Sequence, residues 1–136
     1  MTDAPLLAKR LAFIETCVHE LRSLARVDQL EIDIREARFV EHTLQLAIQA
    51  ALDVAGHVVS AERLGEPTTN QELFQLLARA GWVDAAQAPA LRAMAGFRNV
   101  LVHGYVDVDR SVVRDVVVNH LGDLLAFVAA VRARLG

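Results

Sequence analysis

From Arg98 to Tyr105 the chain reads Arg98-Asn99-Val100-Leu101-Val102-His103-Gly104-Tyr105, so four different polar functions fall within eight residues. Histidine is the side chain whose ordinary titration lies near neutral pH. Arginine is a permanent, planar cation that suits bidentate phosphate contacts. With a carboxamide and a phenol beside them, these groups could hold an anion and move a proton. On an ideal α-helix Asn99 and His103 lie about 40° apart around the axis, whereas Arg98 and His103 lie about 140° apart. Three arrangements would unite that pair: the helix loosens before Gly104, the long Arg98 side chain reaches around, or Arg98 of one subunit completes a site near His103 of another. The plainer alternative is that Arg98 and Asn99 tie helices together while His103 and Tyr105 cap the helix end, and spacing alone favours it.

The rest of the chain offers little competing chemistry. His19, His42, His57 and His120 sit inside helical patterns without ligands at metal spacing, so no metal site is expected. Cys17 adjoins the apolar stripe Ile14, Val18 and Leu21 and reads as core; being alone, it has no disulfide partner within the chain. No glycine-rich phosphate loop is present, and no cofactor is implied. Glu41, Gln45, Gln49, Asp53 and His57 repeat every four residues along one helix. They could line the same cleft, but interhelical hydrogen bonding is the favoured reading.

The elements that must position this segment follow from hydrophobic periodicity. Leu7, Leu11, Ile14, Val18, Leu21 and Ala25 predict a helix from about Pro5 to Val27. A segment with no Pro, and no Gly before Gly56, predicts one long helix from Glu31 to about Leu64, apolar on several faces and therefore the spine of the fold. Thr69 and Glu72 form a capping-box pattern for a helix over about Asn70–Ala80, closed by Gly81, and Asp84 with Gln87 offers a second, opening a helix from about Ala85 to Val102. A last helix over Arg110–Leu135 carries Val113, Val117, Leu121, Leu124, Val128, Val131 and Leu135 on one stripe. The alternation from Val100 to Val108 could make a hairpin at His103-Gly104, but a helix ending at Gly104 fits better because His-Gly is a poor turn dipeptide. The expected architecture is all-α, an antiparallel bundle of about five helices in one domain spanning residues 1–136.

Composition narrows the class. The chain has 136 residues, a formal charge of −3 and 54% apolar residues, yet only 5% aromatics. Its acidity argues against a broad phosphate-binding surface, so any nucleic-acid contact must be local. Its cations are nearly all arginine, with Lys9 the lone lysine. No uninterrupted apolar run approaches the roughly 20 residues of a membrane span, and the start has no basic region followed by an apolar core. A soluble cytoplasmic protein is expected, and the apolar excess suggests an oligomer.

The segment Phe97-Arg98-Asn99-Val100-Leu101-Val102-His103-Gly104-Tyr105 resembles the Arg-x4-His-x-Tyr signature of HepT-like ribonuclease toxins of the HEPN superfamily, which pair with a MntA-like nucleotidyltransferase antitoxin. Arg38-Phe39-Val40-Glu41-His42, the run to Leu52-Asp53-Val54-Ala55, the Pro67 break and Phe74 before Gly81 are also similar to that family, so the resemblance covers about Leu6 to Arg134. It implies a homodimeric HEPN-like bundle in which the Arg-x4-His segments of both subunits face one cleft. It further implies metal-independent endoribonuclease activity on RNA such as tRNA or mRNA, leaving a 2′,3′-cyclic phosphate. Arg98 would then bind the scissile phosphate, His103 would act as acid or base, and Asn99 would orient them in support. Tyr105 would be the residue that the antitoxin modifies with AMP, blocking the site by bulk and charge. The rival reading is a noncatalytic HEPN interaction or nucleotide-binding module that partners a nucleotidyltransferase.

Overall fold

Asp3 opens the first helix by accepting a hydrogen bond from the Leu6 amide at 3.1 Å, and Pro5 in the first turn needs no partner for the amide proton it lacks. In the computed structural model, which describes residues 2–104 and 108–136, this helix α1 spans Ala4–Leu24 and buries Leu7, Leu11, Ile14, Cys17, Val18 and Leu21. It stops short of the expected Val27. Ala25 turns extended, and the Arg26 amide donates instead to the buried Glu36 carboxylate at 3.0 Å, before a 3-10 turn at Val27–Gln29.

Helix α2, Ile34–Ala61, begins later than Glu31 because Asp33 caps it, accepting from the Arg35 amide at 2.9 Å. It is the expected spine. It packs against α1, α3, α4, α5 and α6, and buried residues cover more than one of its faces. By length and composition α2 could cross a membrane, but in this fold its apolar faces are taken up by the surrounding helices. Its end is a Schellman turn: the Leu64 amide bonds the Val59 carbonyl at 2.9 Å and the Arg63 amide bonds Ser60 at 3.3 Å, with Arg63 at φ 53°.

Helix α3, Asn70–Arg79, is capped by Thr69, which accepts from the Glu72 amide at 3.3 Å. The Glu72 carboxylate reaches back one residue further than the capping box predicts, to the Thr68 amide at 2.6 Å. Gly81 at φ 80° closes the helix with the same hydrogen-bond pattern as Arg63, and Trp82 after it is buried under the Arg134 guanidinium, 5.0 Å from the ring centre. Helix α4, Ala88–His103, starts three residues later than expected. Gln87 does accept from the Asp84 amide at 2.8 Å, but a helix begun at Ala85 would require an amide proton that Pro89 does not have.

The predicted last helix is two: α5, Arg110–Asn119, and α6, Leu121–Leu135, meet at a 49° bend. The bundle therefore has six α-helices among the described residues. At the bend His120 lies between two carboxylates, 3.2 Å from Asp115 and 3.4 Å from Asp123, while Asn119 donates to Asp115 at 2.7 Å. The apolar stripe continues unbroken across it, since Val113, Val117, Leu121, Leu124, Val128 and Val131 are all buried. Phe127 of α6 meets Phe74 of α3 edge to face at 5.6 Å in the core.

Candidate functional site

Helix α4 carries the candidate residues, and its apolar side fixes which way they face. Leu91, Met94, Ala95 and Leu101 are buried, leaving Arg98 half-buried and Asn99, Val100 and His103 exposed. The helix does not loosen on the way: it stays α-helical to His103, and the Gly104 amide bonds the Val100 carbonyl at 2.8 Å. Gly104 is there for space, because a Cβ at that position would lie 2.9 Å from the same carbonyl oxygen. The helix ending at Gly104 thus prevails over the hairpin as far as the chain is described. Tyr105 lies outside the described residues.

Arg98 reaches sideways along the helix. Its Nη1 lies 3.4 Å from Asn99 Oδ1, a long contact between neighbours on the helix. Its Nε is buried without a hydrogen-bond partner, and no carboxylate pairs with Arg98 among the described residues. The His103 side chain likewise makes no hydrogen bond among the described residues. Arg10, Arg26, Arg114 and Arg132 are paired with Asp53, Glu36, Glu31 and Glu15, while Arg22, Arg35, Arg38, Arg63, Arg79 and Arg92 share with Arg98 the lack of a salt bridge among the described residues; its buried Nε is what distinguishes Arg98. A cation with no carboxylate, next to an exposed imidazole and a carboxamide, is an arrangement that can receive a phosphate and exchange a proton with it.

Asn99 also forms part of a groove that no periodicity or motif announces. Its other walls are Pro67, Thr68, Thr69, Asn70, Gln71 and Leu73 at the start of α3, and it encloses about 420 Å³. The Gln71 carboxamide lies over Gly96 of α4, where a Cβ would stand 3.2 Å from its Nε2. In the sequence these α3 residues read only as a cap.

The other candidates resolve into structural roles. Of the polar line on α2, Gln49 donates to Asp53 at 2.9 Å, Asp53 pairs with Arg10 of α1 at 3.6 Å, and His57 Nε2 accepts from the Asp3 amide at 3.0 Å. The Asp53–Arg10 and His57–Asp3 links hold α2 to α1 and its cap, as the favoured reading had it, whereas the Gln49–Asp53 bond lies within α2 and leaves Gln49 Oε1 buried without a partner, and Glu41 and Gln45 make no side-chain hydrogen bond among the described residues. Cys17 is buried, and burial pushes its thiol up to about 11, with Glu20 adding to the shift, so it stays protonated and unreactive at neutral pH. Among the described residues no His, Cys, Asp and Glu cluster could hold a metal ion.

The chain as a whole is similar to proteins already known. A family model described as "Ribonuclease HepT-like" matches residues 14–131. The mRNA nuclease HepT of Shewanella oneidensis is 27% identical over 129 residues, 94% of this chain and 97% of its own length. The tRNA nuclease HepT of Aphanizomenon flos-aquae is 29% identical over 106 residues, 76% of this chain and 72% of its own. Among solved structures, the tri-AMPylated Shewanella oneidensis HEPN toxin in complex with MNT antitoxin superposes with a TM-score of 0.87 at 28% identity, covering 98% of this chain and 99% of that one.

Proposed function

The chain belongs to the HepT-like ribonuclease family, and on that premise we propose that it is a metal-independent endoribonuclease toxin held in check by a nucleotidyltransferase antitoxin that AMPylates Tyr105. The observation that carries the catalytic half is the Arg98 guanidinium, free of any carboxylate among the described residues and in long contact with Asn99, on the helix whose end exposes His103. The related nucleases act on mRNA and tRNA by name, which makes RNA the substrate class.

The chemistry is transesterification at phosphorus. A base takes the proton of the ribose 2′-OH, the 2′ oxygen bonds to phosphorus, and the bond to the 5′ oxygen breaks as that oxygen takes up a proton. The products are a 2′,3′-cyclic phosphate and a free 5′-OH. His103 serves as base or acid, since imidazole exchanges protons near neutral pH. Arg98 stabilises the crowded phosphate with two parallel N–H bonds, and Asn99 holds the guanidinium in place. One imidazole cannot stand on both sides of the phosphorus at once. A homodimer that brings a second Arg98–His103 set to the same cleft supplies the other proton-transfer group, and Val100, 47% exposed beside Asn99, gives such a contact an apolar element.

For the regulatory half, support comes from the Shewanella relative, a tri-AMPylated toxin in complex with its MNT antitoxin. Tyr105 follows His103 by two residues, so an AMP on its phenol oxygen would set a phosphate among the groups meant for RNA.

The test is cleavage of cellular RNA in excess EDTA by protein whose intact mass shows Tyr105 unmodified. Wild type should cleave, and His103→Ala should lose roughly 10²–10⁴-fold of the rate while keeping its helical circular dichroism. Failure of unmodified wild type to cut tRNA, rRNA or mRNA would replace this reading with a noncatalytic module. A mass unchanged after incubation with the antitoxin and ATP would remove the AMPylation half.

A further inference from the structure

We propose that the groove between the start of α3 and the middle of α4 is a nucleobase subsite, in which Asn70 and Gln71 read the base next to the scissile phosphate. The inference rests on the ribonuclease reading for its place in catalysis, but the groove's chemistry argues for a base independently. Its lining among the described residues carries no charged side chain. The nearest carboxylate, Glu72, lies behind Thr68 and is held there by the Thr68 amide at 2.6 Å and hydroxyl at 3.1 Å, where it would repel a phosphate rather than bind one. The two threonine hydroxyls are thereby committed to α3, Thr68 donating to Glu72 and Thr69 accepting from its amide.

Besides the Thr69 hydroxyl proton, what remains available is a pair of carboxamides. Asn70 and Gln71 make no side-chain hydrogen bond among the described residues. Each presents a donor and an acceptor in one plane, the pattern that matches the edge of a nucleobase. Leu73, buried in the core, contributes only a small apolar edge to the groove floor. The volume, about 420 Å³, falls within the roughly 300–1,000 Å³ of small-molecule sites. Position gives the groove its meaning: Asn99 is at once a wall of the groove and the residue that touches the Arg98 guanidinium, so a base seated on Gln71 has its phosphate within the cation's reach. Sequence-selective RNA recognition works on unstacked bases read along their edges, and this groove is built for one such base.

Two measurements test it. In the first, the full chain is titrated with each nucleoside 3′-monophosphate and with inorganic phosphate while the side-chain NH2 resonances of Asn70 and Gln71 are followed by NMR. At least one nucleotide should move them, inorganic phosphate should not, and Gln71→Leu should abolish the response. No movement with any nucleotide, or equal movement with phosphate, overturns the subsite. In the second, cleavage sites are mapped on a random RNA pool. Asn70→Ala and Gln71→Leu should lower cleavage at the preferred base, so that preference at one position flanking the cut falls roughly tenfold. Asn70 is exposed, so its variant keeps the test open if Gln71→Leu folds poorly. An unchanged preference overturns the subsite; nucleotide-induced shifts without any cleavage by wild type would sink the ribonuclease reading and leave the base site standing.

Discussion

Arg98 is set apart from the other arginines on ion pairs by what it lacks. Where Arg132 forks onto Glu15 to fasten α6 to α1, Arg98 has a carboxamide for company and a buried Nε without a partner. A polar atom left so in a folded chain costs stability unless a ligand completes it, which is why the guanidinium's geometry, and not its charge alone, should matter. Arg98→Lys keeps the charge and loses the fork. Cleavage should fall by roughly 10- to 100-fold, the equivalent of one charge-assisted hydrogen bond, with kcat affected more than KM; a Lys variant as fast as wild type would reduce Arg98 to a point charge. The segment's polar types were legible in the sequence. The sideways lean of Arg98 onto Asn99 was not, because an ideal helix shows only the separation of about 140° between Arg98 and His103 and says nothing of which way a long side chain folds.

The helices were legible wherever a stripe met a cap, and misjudged where the interruption left the stripe intact. The α5–α6 bend falls at His120, but Val117, Leu121 and Leu124 keep the four-and-three spacing through it, so periodicity carries no trace of the break. The start of α4 was misplaced for a local reason that Pro89 could have revealed. Chain reversals after α2 and α3 share one hydrogen-bond pattern yet use different residues, Arg63 at φ 53° and Gly81 at φ 80°. A side chain in that left-handed region costs roughly 1–2 kcal/mol, part of which Gly would return through its greater freedom when unfolded. Arg63→Gly should therefore stabilise the fold by about 0.5–1 kcal/mol in urea denaturation, whereas Gly81→Ala should destabilise it. A loss of stability in Arg63→Gly would mean that the Arg63 side chain makes a contribution of its own.

For the molecule as a whole, acid is the condition that should loosen it first. The Arg132 hydrogen bonds hold the Glu15 carboxyl below its ordinary range, the Thr68 amide and hydroxyl do the same for Glu72, and Ser111 does so for Asp109. In each case the folded state binds its proton less readily than the unfolded chain. The stability these groups contribute is complete above the ordinary carboxylate range, 4.5 for a glutamate, and disappears as pH falls through it toward the lowered folded values. Thermal denaturation from about pH 7 to about pH 3 should show a falling melting temperature on that limb. Glu72→Gln should be less stable than wild type at neutral pH and should flatten the acid limb; identical profiles would show that the Thr68–Glu72 link contributes nothing.

By itself the sequence determined the class of the fold and the address of its chemistry. Apolar residues at helical spacing must find a common interior, and a histidine, an arginine and a carboxamide in eight residues of one helix stay together however that helix packs. Only the tertiary structure decided what surrounds them. The packing of α3 on α4 sets Gln71 over Gly96 and makes Asn99, the neighbour of Arg98, the wall of a groove as well. No periodicity encodes that, because contact between residues on different helices depends on how the helices approach one another, and the sequence states only which face each of them buries.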